Sequence, residues 1–152
     1  MSLESVRAYF AAHAPDIDII ETEESSATVT LAAEAHGVQP EQIAKTICLK
    51  VGEDALLVVM AGTKRLDNRK AKDTFGGKPR MLDSAQVLDL TTHPVGGVCP
   101  FGLPLQLPIY CDVSLRAYDE VVPAAGATNS AVRIDPERMA GLVSAQWVDV
   151  CQ

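Results

Sequence analysis

The sequence predicts a mixed α/β fold of the α+β kind, with short helices flanking a curved, largely antiparallel sheet. Three observations carry this. Segments of strand length alternate with segments of helical spacing, without an internal repeat or a low-complexity linker. Ile43, Ile47, Leu49 and Val51 alternate with Ala44, Thr46, Cys48 and Lys50, and Lys50-Val51-Gly52-Glu53-Asp54 turns this run back as a hairpin. The returning run, 55–61, is apolar throughout, which marks a strand covered on both faces at the centre of the sheet.

The remaining elements follow in order. Residues 2–13 read as an amphipathic helix with Leu3, Val6 and Phe10 at helical spacing and Ser2 as N-cap, ended by Pro15 and Asp16. Residues 17–20 read as a short strand, followed by an acidic, Ser-rich loop to Ser26. A helix over 29–36 starts at Thr28 and stops at Gly37, a residue suited to the left-handed C-terminal position, and Pro40 opens a short helical turn before the strand of Lys45. Asp67 caps a helix running to Phe75, with Gly76-Gly77 as its stop; Leu66, Ala71 and Phe75 face inward, and Arg65, Arg69 and Lys72 share the outer face. Residues 80–82 form a short strand, and Asp83 with Gln86 has the form of a capping box opening a helix to Leu90 or Thr91. Strands are expected at 107–111, 120–122, 131–134 and 145–150, with a helical turn or loop over 112–118, a tight turn at 126–129 and a helix over 136–142 begun by Asp135-Pro136.

With 152 residues, 47% apolar and 22% charged, the chain suits one domain spanning 1–152. It contains no run of about 18 apolar residues and no basic leader followed by an apolar core, so a cytoplasmic protein without a membrane partner is expected. Cys48, Cys99, Cys111 and Cys151 form no CxxC pair, and His13, His36 and His93 show no ligand spacing with them, so no metal, no cofactor and no disulfide framework is expected. Cys99 lies in a Gly/Pro-rich loop and is the candidate reactive thiol, against the more frequent case of an inert buried one.

Charge is unevenly placed. The net charge of -7 argues against coating duplex nucleic acid, yet residues 62–80 hold seven basic side chains against two acids, leaving -12 on the rest. Such a patch suits contact with a short stretch of phosphate, or it is a solvated helix face. Lys45 poses a similar choice. It shares a strand face with apolar neighbours, and either it snorkels into water at a strand start or edge, or the strand delivers a cation to a phosphate or an ester carbonyl. The segment 93–104 holds three glycines and three prolines, a rigid loop whose N–H groups can receive an oxygen, or a structural corner.

With these segments placed, the chain resembles, over its full length, the YbaK family, also called the prolyl-tRNA synthetase-associated editing domain. Ala44-Lys45-Thr46 resembles the family's lysine motif and Gly96-Gly97-Val98-Cys99-Pro100 its Gly-x-x-x-Pro loop. Gly62 with Leu66-Asp67, the Asp112-Val-Ser-Leu stretch and Ala125-Gly126 also match family positions. The resemblance implies a mixed sheet closing toward a barrel and hydrolysis of amino acids wrongly esterified to tRNA, tRNA for proline above all, with small residues such as Ala or Cys removed. It implies mischarged tRNA, by its acceptor end, and prolyl-tRNA synthetase as partners. Lys45, Gly96, Gly97 and Pro100 would be catalytic, with Lys45 holding the ester carbonyl or a terminal phosphate. Thr46, Val98, Cys99, Gly126, Thr128 and Asn129 would bind substrate, and Lys64, Arg65, Arg69, Lys70 and Lys72 the tRNA. Relatives commonly carry a polar side chain such as histidine in the turn where this chain has Thr128. A noncatalytic binder of a tRNA end or small ligand on the same fold, and a hydrolase using Cys99 with a histidine base, are the competing classes.

Overall fold

A computed structural model describes residues 2–152. Its helices are α1 (Ser2–His13), α2 (Val29–His36), α3 (Asn68–Phe75), α4 (Ser84–Thr91) and α5 (Pro136–Leu142). Its strands are β1 (Ile20–Glu21), β2 (Ile43–Val51), β3 (Asp54–Ala61), β4 (Pro79–Met81), β5 (Ile109–Asp112), β6 (Val122–Pro123), β7 (Ser130–Ala131) and β8 (Gln146–Val148). The helix ends follow local chemistry. The Thr28 hydroxyl accepts from Leu31 N, Asp67 accepts from Arg69 N and Lys70 N, Asp83 and Gln86 form a complete capping box, and Gly37 and Gly76 close α2 and α3 in the left-handed conformation.

The main sheet runs β4-β2-β3-β5-β8, with β6 pairing β2 beside β4, while β1 and β7 form a separate ladder. The long pairings β2–β3 and β2–β4 are antiparallel, and β3–β5, β5–β8 and β2–β6 are parallel. The class is the expected mixed one, but the sheet is open rather than closed toward a barrel. Both terminal strands are three residues long, too short to wrap and meet, and β4 begins at Pro79, which has no N–H to extend the ladder. Several strands are shorter than the sequence suggests: 145–150 narrows to β8, 120–122 keeps only Val122 in β6, and 107–111 begins two residues later in β5. Of 17–20 only Ile20 enters a ladder, and of 131–134 only Ala131; Ile134 instead forms an isolated bridge with Val121.

The two faces of β2 meet different cores. Ala44 and Cys48 pack with Leu57, Val59, Phe10 and Phe101, while Ile47, Leu49 and Val51 pack with Val58, Met60, Ala71 and Phe75. Each fully buried Val, Leu or Phe contributes roughly 1.5–3 kcal/mol, so a register slip of one residue in β2 is strongly opposed. One buried carboxylate ties the chain's end to this frame: Asp112, 1% exposed, accepts from Ser114 N (2.9 Å) and Val150 N (2.8 Å). The terminal segment then runs beside 65–67, through Asp67 N to Val150 O, Gln152 N to Arg65 O and the Leu66–Cys151 bridge.

Candidate functional site

The outer edge of β2 is covered at both ends and open in the middle. β6 pairs Ile43 and Ala44, β4 pairs Leu49 to Val51, and Leu82 N reaches Cys48 O at 3.4 Å. In the hairpin, Val51 and Asp54 flank a two-residue loop, so they and every second pair from them exchange hydrogen bonds across β2–β3. Ala44, Thr46, Cys48 and Lys50 therefore aim their N–H and C=O outward. Only at Thr46 does neither β4 nor β6 arrive, and this gap in the sheet is the floor of a cleft of about 370 Å³.

The cleft's walls are mostly apolar. Ala27 precedes α2 and Val29 and Ala32 come from its start, Leu82 follows β4 and Val87 comes from α4, Gly96 and Val98 from the glycine-rich loop, and Ala124 and Ser130 from the two sides of the 126–129 turn. Two close approaches fix the loop. At Gly96 (φ 93°) an added Cβ would lie 2.8 Å from that of Ala27, and at Gly97 it would lie 2.8 Å from Ala127 N and 2.9 Å from Gly126 C. Gly97 O accepts from Gly126 N at 3.0 Å and Gly97 N donates to Pro94 O at 2.8 Å, so this glycine joins two turns and has no N–H left for a ligand.

Lys45 stands at the rim. Its ammonium donates to the carbonyl of Lys64, the residue where the basic segment begins. Burial, and then the nearby Arg65 charge, hold its pKa below the usual lysine range, with Cys151 acting in the opposite direction. Thr46 lies on the alternate face, toward Ala44 and Cys48, and its Oγ1 is buried with no hydrogen-bond partner.

The other expected site residues divide. Gly96 and Val98 line the cleft with Lys45 and Thr46. Cys99 is fully buried behind the loop, and Pro100 lines a separate groove beside Tyr9. Gly126 (φ 94°) packs against the backbone of Ser2. Thr128 O takes Ser26 N at 2.7 Å, and Asn129 holds Thr22 both by its O, which takes Thr22 N at 2.9 Å, and by its Nδ2, which donates to Thr22 O at 3.0 Å, while the Thr128 side chain is exposed and neither residue lines the cleft. His93 Nε2 is 3.5 Å from Cys99 Sγ but 2.8 Å from Phe101 O, and that carbonyl claims its proton. Burial pushes the Cys99 thiol up to about 12 and the His93 imidazole down, the opposite of an activated pair.

The charges sort themselves in a way the sequence does not show. Among the described residues, five basic side chains form ion pairs: Arg7–Glu21, Lys70–Asp149, Arg116–Glu137, Arg133–Glu120 and Arg138–Asp16. The remaining eight of the 13, all between Lys45 and Arg80, have no acidic partner. Lys64, Arg65, Arg69 and Lys72 are exposed among them; Lys70 is held by Asp149 and by Cys151 O. Arg65 does not share a helix face with Arg69 and Lys72, because the Asp67 cap starts α3 at Asn68 and leaves Arg65 in the extended lead. Lys50 and Arg80, absent from the expected site, are directly opposite each other on β2 and β4. Like charges in that position destabilise a sheet unless an anion bridges them.

Among the described residues no three His, Cys, Asp or Glu side chains gather as metal ligands, and no helix is long and apolar enough to cross a membrane.

The fold thus combines an open cleft on a mixed sheet, a lysine at its rim and a stretch of the chain whose cations are mostly without acidic partners among the described residues. The chain belongs to the aminoacyl-tRNA editing domain family, whose profile matches residues 23–142. It is 44% identical over 154 residues to YwhH, an uncharacterized protein of Bacillus subtilis strain 168, covering 100% of this chain and 98% of that protein. It is 28% identical over 116 residues to a proline–tRNA ligase of Desulfovibrio desulfuricans, matching 75% of this chain but 20% of the ligase. A solved structure described as a candidate trans-editing enzyme for prolyl-tRNA synthetase superposes with a TM-score of 0.93 at 31% identity, covering 99% of this chain and 97% of that one.

Proposed function

We propose that residues 1–152 act as a single freestanding domain in the cytoplasm, a trans-acting deacylase that hydrolyses the ester of mischarged tRNA, tRNA for proline above all, and releases a small amino acid such as Ala or Cys. The observation that carries this is the position of Lys45 between an apolar cleft of about 370 Å³ and the start of a basic segment in which, among the described residues, Lys70 alone has an acidic partner. That volume lies at the lower end for ligand sites and suits an aminoacyl group with part of its ribose. The basic segment suits the phosphates that follow.

The chemistry needs no covalent intermediate. Water adds to the ester carbonyl carbon, negative charge gathers on the carbonyl oxygen, and the bond to the ribose oxygen breaks. The amino acid departs as a carboxylate and the tRNA keeps a hydroxyl. The Lys45 ammonium and the outward N–H of Thr46 supply donors for the developing oxyanion, while Gly96 and Val98 form the opposite wall that orients the ester. Prolyl-tRNA synthetase is the natural partner for such an activity, because it is the source of the error.

Single-turnover hydrolysis over a set of mischarged tRNAs tests the reading, and binding without hydrolysis of any ester would make the chain a noncatalytic acceptor-end binder. Reversing Arg69 and Lys72 together should weaken tRNA binding and reduce the slope of log K against log salt by about 2, one for each phosphate no longer neutralised. An unchanged slope would return the patch to ordinary solvation. Cys99→Ala should retain most of the hydrolytic rate, since the thiol is buried and protonated. Inactivation as complete as that of a Lys45 variant, with an acyl-thioester trapped on the wild type, would reassign the nucleophile.

A further inference from the structure

We propose that Met81 and Val95 form an apolar lip that holds the face of the terminal nucleobase of the tRNA, at the mouth of the cleft that takes its aminoacyl group. The proposal rests on the deacylase reading and deepens it. Met81 is 65% exposed and Val95 62% exposed, yet both line the cleft, so both stand at its mouth. They come from different segments: Met81 ends β4, and Val95 is at the outer corner of the turn that Gly97 N closes on Pro94 O (2.8 Å). Exposed aliphatic side chains scattered singly need no explanation. Two at the mouth of one cleft, neither packed into any of the hydrophobic cores, leave apolar surface in water where a ligand would cover it.

The register of the sheet relates the lip to Lys45. Met81 is directly opposite Leu49 across β2–β4, so its side chain shares a face with Leu49, Ile47 and Lys45. Lys45, Ile47 and Met81 all line the cleft, and the four strand residues from the level of Lys45 to that of Met81 span about 13 Å. An ester held at one end of this row leaves its nucleoside to lie along it. The cleft of about 370 Å³ takes the aminoacyl group with part of the ribose, and the base attached to that ribose emerges at the mouth. A nucleobase has an apolar π-face and a polar edge. A thioether and an isopropyl group can cover the face and leave the edge in water, with the Met81 sulfur adding its attraction for an aromatic ring. Neither side chain can donate or accept a strong hydrogen bond, so the lip holds a base without reading which base it is.

The test is calorimetric binding of the stable amide-linked alanyl adenosine and of the matching alanylamino sugar without a base. The wild type should bind the nucleoside about tenfold more tightly. Met81→Ser with Val95→Ser should bring that ratio to within about twofold while melting as the wild type does, since both positions are exposed, and Met81→Leu with Val95→Ile should keep most of it. Uracil in place of adenine should change affinity by less than about threefold. Equal binding of the two compounds by the wild type, a ratio unchanged in the double serine variant, or a strong preference for one base overturns the proposal. If the wild type hydrolyses no mischarged tRNA, the deacylase reading fails by itself. Binding of AMP against ribose 5-phosphate then decides the lip, tighter binding of AMP that disappears in the double serine variant supporting it and equal binding overturning it.

Discussion

Lys45→Ala should abolish ester hydrolysis and leave the melting temperature nearly unchanged. The ammonium is a poor stability feature: it is partly desolvated, its pKa is held down by that burial, and its hydrogen bond goes to a single carbonyl, Lys64 O. Removing it forfeits one hydrogen bond, net about 1 kcal/mol, and relieves the desolvation that opposes it. In hydrolysis the balance differs, because charge that develops on the ester oxygen loses a donor standing at the rim of the cleft. Loss of such a donor costs about 3–4 kcal/mol, or roughly a hundredfold to a thousandfold in rate. Lys45→Arg sharpens the comparison, since it keeps the charge but replaces a compact ammonium by a wide planar fork, and the rate should remain far below wild type. Single-turnover hydrolysis and thermal melting measure the two effects separately; hydrolysis near the wild-type rate in Lys45→Ala would remove the residue from the mechanism.

The second large effect concerns stability. Gly97→Ala should lower it by about 2–4 kcal/mol, because the new methyl would meet Ala127 N at 2.8 Å and Gly126 C at 2.9 Å, backbone atoms with no flexible end to swing away. The displacement would also stretch the Gly126 N to Gly97 O hydrogen bond that joins the two turns bounding the cleft. For a chain of this length, the melting temperature should fall by about 5–15 °C. Gly141 in α5 is the internal contrast. Nothing lies within 4 Å of its would-be Cβ, and Gly141→Ala should raise stability by about 0.5–1 kcal/mol through helix propensity alone. Equal effects of the two substitutions in a denaturant titration would refute the wedge described for Gly97.

What could be read from the sequence was what a few neighbouring residues decide. Thr28, Asp67, Asp83 with Gln86, and Asp135 each bond to N–H groups two or three positions on, so these four helix starts needed no knowledge of the fold, whereas Ser2, read as the cap of α1, is its first residue and turns its hydroxyl to His93 Nδ1 and Gly126 O. The β2–β3 hairpin was legible for the same reason. The 17–20 and 131–134 strands were overdrawn because their true extent depends on a meeting of Ile20 with Ala131, which no local pattern encodes. The site divides along the same line. Lys45 is conspicuous as a cation in an apolar register, while the open edge at Thr46 exists only because β6 stops at Ala44 and β4 stops short of Cys48, strands drawn from about 80 and 30 residues away. Lys70 looked like its basic neighbours until Asp149 arrived from the chain's end, and Lys50 and Arg80 became a pair only through the sheet register.

The segregation of ion pairs gives the molecule a direction of approach. Among the described residues five of its cations form ion pairs, and the eight left without an acidic partner all lie between Lys45 and Arg80 in the sequence. For the tRNA ligand proposed above, the acidic body would repel and the cationic stretch attract, which would favour one direction of approach before any contact forms. The same arrangement limits residence. With a net charge of -7, the protein cannot hold the length of a nucleic acid, only its nearest few phosphates. On the deacylase reading proposed above, association should therefore be fast and salt-sensitive, and departure of the deacylated tRNA fast as well.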